Sequence, residues 1–177
     1  MNTALSATAL AFALLAAGFT TTDAGAASRR VLRTHADGSA TATTAVARQG
    51  AHGGSRVRGR ATAADGQGNV NTAGGATTTG PNGATAVRTG QASRHADGSA
   101  ERSGSFSAAG AKGSVESSAS GTRGADGSVN ASRNTSATSA ATGNSVQSTA
   151  SYNQAGGVTR STTCYDAGGA AMSCPSR

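Results

Sequence analysis

Two copies of one short string contain the residue types that acid–base or nucleophilic chemistry uses. His35–Ala40 and His95–Ala100 both read HADGSA, so each places a histidine, an aspartate and a serine within five residues. An identical string sixty residues later is what duplication of a turn produces, because Asp-Gly is a preferred hairpin dipeptide. The strained G-x-S-x-G turn of many serine hydrolases is absent from the sequence. We therefore interpret both strings as duplicated turns and predict that the protein is not an enzyme.

Other site motifs are incomplete. Gly66–Gly68 reads GQG and lacks the third glycine and following helix of a dinucleotide-binding loop. The G-G-x-G-x-D repeat of calcium-binding β-rolls and the acidic ladder of an EF-hand are also missing. We expect no cofactor, no bound metal and no small-molecule substrate.

The two cysteines predict a disulfide. Cys164 and Cys174 each lie five residues from Gly169, so a hairpin centred on that glycine would place them opposite one another. A zinc site is the weaker alternative, since two thiolates without a nearby histidine supply half of the usual ligands. The C-x-x-C spacing of redox-active pairs is absent.

Arginine is the dominant charged residue and the clue to partners. The densest cluster is Arg56, Arg58 and Arg60, and a second cluster near the N-terminus holds Arg29, Arg30 and Arg33. Guanidinium groups bind phosphate, sulfate and carboxylate, so both clusters are candidate anion-binding sites for acidic polysaccharide, lipopolysaccharide or extracellular DNA. Aromatic residues on which bases would stack are not interleaved with the arginines, which argues against sequence-specific nucleic-acid recognition. The competing interpretation is a solvated strand face kept charged against edge-to-edge aggregation.

A glycine-centred turn recurs about every fifteen residues, and the residues between turns alternate small-apolar with polar. After Gly98, for example, one parity includes Ala100 and Phe106 while the other is almost entirely serine. Period-two alternation predicts strands with one face partly covered and one face wet. The fold class is therefore all-β, an up-and-down antiparallel meander of nine or ten strands of about eight to eleven residues. A β-solenoid, with mid-unit glycines at its second corner, and a largely disordered chain are the alternatives.

The bulky residues also share a position in the repeat. Val46, Phe106, Tyr152 and Tyr165 each lie eight residues after a turn residue. This common position predicts that they meet across neighbouring strands.

Composition limits how the sheet can be stabilised. The 177 residues include 26 Gly and no Trp, and 3% are aromatic, so few side chains can fill a core. The surviving possibilities are a sheet held largely by backbone hydrogen bonds, an assembly of such sheets, or disorder.

The N-terminus predicts export. Residues 7–19 are apolar and are followed by Ala24-Gly25-Ala26, a small-x-small cleavage pattern, so we assign residues 1–26 as a signal peptide cleaved after Ala26 or Ala27. Residues 27–34 form a basic segment, residues 35–163 the β-repeat region, and residues 164–177 a disulfide-closed hairpin. No later stretch is hydrophobic enough to span a membrane as a helix. The expected location is secreted or periplasmic.

Units such as Thr79–Thr85 (TGPNGAT), alternating with arginine-bearing strands, resemble small, secreted Gly/Ser/Thr/Ala-rich repeat proteins of proteobacteria. The resemblance covers about residues 34 to 163 and implies export and a β-rich repeat. A looser similarity is to curli-type amyloid subunits, although their stacked Gln and Asn ladders are not regular here. Two functions remain open: an exported structural protein of the surface or matrix that acts in attachment or self-association, and a cationic binding module for anionic polymers.

Overall fold

A computed structural model describes residues 25–174 and consists of one antiparallel sheet. Its strands follow one another in chain order, so β1 and β11 are its two edges. They are β1 (Gly25–Thr34), β2 (Ala40–Gln49), β3 (Ser55–Ala64), β4 (Val70–Thr79), β5 (Thr85–Arg94), β6 (Ala100–Gly110), β7 (Gly113–Arg123), β8 (Val129–Ser139), β9 (Ser145–Asn153), β10 (Gly157–Tyr165) and β11 (Ala171–Met172). The all-β meander is confirmed, with ten long strands and one short one.

The hairpins explain the fifteen-residue spacing. In the first one, Gly38 N donates to His35 O and His35 N donates to Ser39 O, which closes a three-residue tip. Gly38 has φ 82°, a left-handed conformation that glycine adopts without steric cost. Most of the other hairpins repeat this pattern, and every residue of positive φ in the described range is a glycine. A ten-residue strand plus five linking residues gives the observed period.

Two hairpins depart from this length. The connection between β6 and β7 is the two-residue tip Ala111–Lys112, and the one between β8 and β9 is a four-residue tip, residues 140–143. When a hairpin tip has an even number of residues, each pair of facing residues has one odd and one even number. The face that carries even-numbered residues before such a hairpin therefore carries odd-numbered residues after it. The shift occurs at β7 and is reversed at β9.

The mid-unit glycines lie inside strands. Gly74 pairs with Gly90, which pairs with Gly104, and Gly59 pairs with Gly75. These glycines therefore do not form the second corner of a solenoid, and that alternative is wrong. Their alignment brings backbone to the surface in the centre of the sheet.

The sheet is a single layer, which corrects the expectation of one partly covered face. Ala47, Ala73 and Cys164 are the only buried hydrophobic residues in the described range, and no polar residue there is buried. Larger side chains stay exposed: Leu32 is 61% and Val158 is 59% accessible. Backbone ladders between adjacent strands, together with same-face neighbours, hold the sheet together.

The prediction that the bulky residues meet across strands is wrong. Phe106 pairs with Arg88 and Ser117, whereas Tyr152 pairs with Ala131 and Val158. A common distance from the turn does not bring side chains together, since adjacent strands run in opposite directions. Tyr152 and Tyr165 lie on the neighbouring strands β9 and β10, yet Tyr165 pairs with Ser145.

The sheet begins earlier than the domain boundaries drawn from the sequence. Residues 1–24, which hold most of the predicted export signal, lie outside the described residues. The basic segment 27–34 is part of β1, paired along its whole length with β2. The predicted cleavage site after Ala26 or Ala27 thus falls in the opening residues of the first strand. No helix in the described range is long and apolar enough to cross a membrane.

The predicted disulfide is present, with a different register. Cys164 and Cys174 are bonded, with a Cα–Cα distance of 5.2 Å. Cys164 pairs with Met172, so Cys174 lies two residues beyond the position opposite its partner. The reason is that the hairpin is centred on Gly168 and not on Gly169, since Asp166 N donates to Ala170 O and Gly169 N donates to Asp166 O.

Candidate functional site

One face of the sheet carries nearly all of the arginines. Paired residues of an antiparallel ladder project to the same side, so the register assigns each side chain to a face. Thirteen arginines lie in the described range, and the following eleven share one face, hereafter the arginine face: Arg30, Arg48, Arg56, Arg58, Arg60, Arg88, Arg94, Arg102, Arg123, Arg133 and Arg160. All of them are exposed. No strand residue on this face is acidic.

The arginines keep to this face where the numbering parity changes. From Arg30 to Arg102 they occupy even positions, whereas Arg123 and Arg133 are odd and Arg160 is even again. These changes coincide with the two-residue hairpin before β7 and the four-residue hairpin before β9. A random arrangement of arginines would not follow the hairpin lengths. The cationic face is therefore a property of the folded sheet.

The opposite face is polar and nearly neutral. From β5 to β10 it consists almost entirely of Ser, Thr, Asn and Gln, and we call it the hydroxyl face. Hydroxyl pairs hydrogen-bond across it, as between Thr89 Oγ1 and Ser105 Oγ at 2.7 Å. The strand carboxylates, Glu101 and Glu116, both lie on this face. The sheet thus separates both strand carboxylates from eleven of the thirteen described arginines.

A shallow trough crosses the centre of the arginine face. Its floor is one register row, Gly74, Gly90, Gly104 and Ala119, in which three consecutive strands have no side chain. Arg60 and Arg133 occupy the two ends of this row, five strand spacings apart, or about 24 Å. The trough is an open concavity of about 1260 Å³.

Three further arginines border the floor along its sides. Arg58 and Arg88 lie two residues to one side of the floor row, and Arg102 lies two residues to the other. The Nε of Arg102 is 3.3 Å from the position that a Cβ at Gly121 would occupy, so this side chain lies across the neighbouring strand. Missing side chains therefore leave room for the guanidinium groups to lie low over the sheet. We call Arg58, Arg60, Arg88, Arg102 and Arg133 the ring arginines.

The ring arginines are not neutralised by the protein. Arg133 Nε donates to Ser117 Oγ at 3.1 Å, and within residues 25–174 no ring arginine has a carboxylate partner. Like charges about 7 Å apart, as at Arg58 and Arg60, repel in water by about 0.6 kcal/mol before screening by salt. An anion placed between them would relieve this repulsion.

Sequence reasoning found part of this face. Arg56, Arg58 and Arg60 do lie together, alternating along β3, and Arg30 is on the same face. Arg29 and Arg33 point to the hydroxyl face, so the N-terminal cluster is divided between the two sides of β1. Arg88, Arg102 and Arg133 were missed, because their proximity depends on the register. Summing hairpin lengths along the chain would have revealed their common face.

The HADGSA strings are turns in the structure. Asp37 Oδ1 accepts a hydrogen bond from Ser39 N at 2.9 Å, and Asp97 Oδ1 accepts one from Ser99 N at 2.8 Å. Hydrogen bonds from the serine side chain and backbone hold the pKa of each carboxyl below its ordinary value, with a smaller contribution from the neighbouring histidine. The carboxylates thus serve the hairpin geometry. No three His, Cys, Asp or Glu side chains of the described range come together as a metal site requires.

The fold and the face define a single-layer antiparallel meander with opposite surface chemistry on its two sides. No protein-family model matches the chain, and neither a curated protein nor a solved structure shows significant similarity to it. Function must therefore be argued from the face and its trough.

Proposed function

We propose that this chain is an exported, non-enzymatic protein whose arginine face binds anionic polymers. The observation that supports the proposal is the collection of eleven exposed arginines on a face without a strand carboxylate. Such a surface attracts extended polyanions and holds them through many charge-assisted hydrogen bonds. The open sheet suits a long ligand better than a small one, since the charges are spread over eight of the ten long strands, from β1 to β10. Export is supported by the apolar N-terminus and by the disulfide, which persists in oxidising compartments.

Binding of this kind has a measurable salt dependence. For a single-stranded polyanion, the logarithm of affinity falls with the logarithm of salt concentration with a slope of about −0.7 per neutralised charge. Five engaged arginines would give a slope of about −3.5, and raising salt from about 50 to 200 mM would then weaken binding roughly 100-fold. A slope near zero would contradict the proposal.

The matched test compares equal charge changes on the two faces. The double variant R58Q/R60Q removes two charges from the arginine face, and R29Q/R33Q removes two from the hydroxyl face. Binding to a sulfated polysaccharide is measured by calorimetry over a range of salt concentrations. We expect R58Q/R60Q to reduce the slope by about 1.4 and R29Q/R33Q to leave it unchanged. Equal effects of the two variants would show that net charge, and not the face, determines binding.

A further inference from the structure

We infer that the trough is the specific subsite of this face, and that its ligand is a linear acidic polysaccharide that lies across the strands along the glycine row. This inference rests on the proposed function, because it names the ligand class and the residues that select it.

The direction follows from the floor. Gly74, Gly90 and Gly104 are directly opposite one another on adjacent strands, so the strip without side chains runs perpendicular to the strands. Ala119 extends the strip to β7, and Arg60 and Arg133 stand at its ends. A chain lying along this strip would cross six strands and have a guanidinium at each end, about 24 Å apart.

The ligand class follows from what the trough offers. The floor residues lie on interior strands, where backbone N–H and C=O groups are engaged in the ladders with the neighbouring strands, so the floor presents Cα hydrogens and a methyl group. Such a floor suits the C–H faces of sugar rings. Guanidinium forks on both sides suit carboxylate or sulfate groups that project from either edge of the chain.

Nucleic acid fits the same trough less well. Phe106 is the single aromatic residue that lines it, so bases would find no series of stacking platforms. The bordering rows are four residues apart along the strands, about 13 Å, which is narrower than the duplex. A duplex would therefore rest on the tips of the arginines without reaching the floor, and a single strand would find only one ring to stack on.

The central experiment separates the subsite from the general charge of the face. R60Q/R88Q removes two ring arginines, and R48Q/R123Q removes two arginines of the same face that do not line the trough. The probe is a size series of heparin-type sulfated oligosaccharides at fixed salt. We expect R60Q/R88Q to weaken binding by at least about tenfold and R48Q/R123Q by less than about threefold. Affinity should rise with probe length up to about 24 Å and then level off.

A charge-neutral variant tests the floor. A Cβ at Gly90 would have its nearest neighbour, Ser103 O, at 3.5 Å, an ordinary contact, whereas Cβ atoms at Gly74 and Gly104 would meet backbone oxygens at 2.8 and 2.9 Å. Gly90→Val therefore fills the floor at the position that tolerates a side chain. We expect it to weaken binding about tenfold with no change in salt slope. The control is Thr89→Val, at the adjacent residue on the hydroxyl face, which we expect to bind like the parent protein. Amide exchange measures whether both variants keep the sheet.

Each outcome decides one statement. If ring and outer variants weaken binding equally and Gly90→Val has no effect, the trough is not a subsite, while the polyanion-binding face stands. If a single-stranded oligonucleotide of matched charge binds more tightly than the oligosaccharide, the ligand class is wrong. If the parent protein retains neither probe at low salt, the proposed function itself falls.

Discussion

Reducing the disulfide should release the C-terminal hairpin without unfolding the sheet. β11 pairs with β10 through two residues, Cys164 with Met172 and Tyr165 with Ala171. So short a pairing cannot hold itself in place, and the covalent bond keeps it on the edge. Most of the outer edge of β10, residues 157–163, is already unpaired in this chain.

The size of the effect follows from the closed loop. The cysteines are 10 residues apart, and the chain-entropy model gives about 2.7 kcal/mol for a loop of that length. Reduction should lower the free energy of local opening by this amount, which corresponds to roughly 100-fold faster amide exchange in residues 166–174.

The assay is hydrogen exchange read by mass spectrometry, with and without reductant, and again for Cys174→Ser. A peptide from β4 and β5 is the internal control, since neither strand contacts the hairpin. We expect fast exchange confined to the segment after β10. Unchanged exchange in residues 166–174 would refute the role of the bond, and an equal increase in the control peptide would refute the local nature of the coupling.

Two further predictions concern turns and pH. Gly83 has φ 74° with open space around it, so Gly83→Ala should lower the free energy of unfolding by about 1–2 kcal/mol. Gly90→Ala, in mid-strand, should instead raise the free energy of unfolding by about 0.5–1 kcal/mol. Urea titration measures both changes, and the same sign for both would contradict the turn assignment. In the folded state, hydrogen bonds lower the pKa of four turn aspartates below 3.8. The stability that these carboxylates contribute to the fold is therefore fully present above that pH and is lost as pH falls through the folded-state pKa. At pH values below about 4, the urea midpoint of unfolding should therefore decrease, and it should decrease less for Asp97→Asn than for the parent. Equal decreases of the midpoint in parent and variant would argue against this origin.

The turns explain why the fold could be predicted from the sequence. Dipeptides such as Asp37-Gly38 identify residues of positive φ by themselves, because only glycine adopts that conformation freely. Each turn reverses the chain, and the meander follows. The glycines inside strands were ambiguous, since Gly90 and Gly104 fit a strand interior and a solenoid corner equally well by residue type. Their register, which no local pattern contains, settles the matter.

The candidate site depended on longer-range information. Arg56, Arg58 and Arg60 are close in sequence, so their clustering could be predicted. Arg88 lies two hairpins and Arg133 five hairpins after this cluster, and one wrong tip length would place either of them on the opposite face. The disulfide illustrates the same sensitivity, because an error of one residue in the centre of its hairpin shifted the expected pairing by two positions.

Nearest-neighbour pairing has a consequence for how such a chain can vary. In the described sheet each strand is hydrogen-bonded only to the strands before and after it, so inserting or deleting a pair of strands changes the span by about 10 Å and leaves the remaining ladders intact. An added pair would also keep the direction of the chain and the facing of its side chains. The reach of the protein along a ligand is thus a function of repeat number, and it can lengthen or shorten in fixed increments by simple duplication or loss.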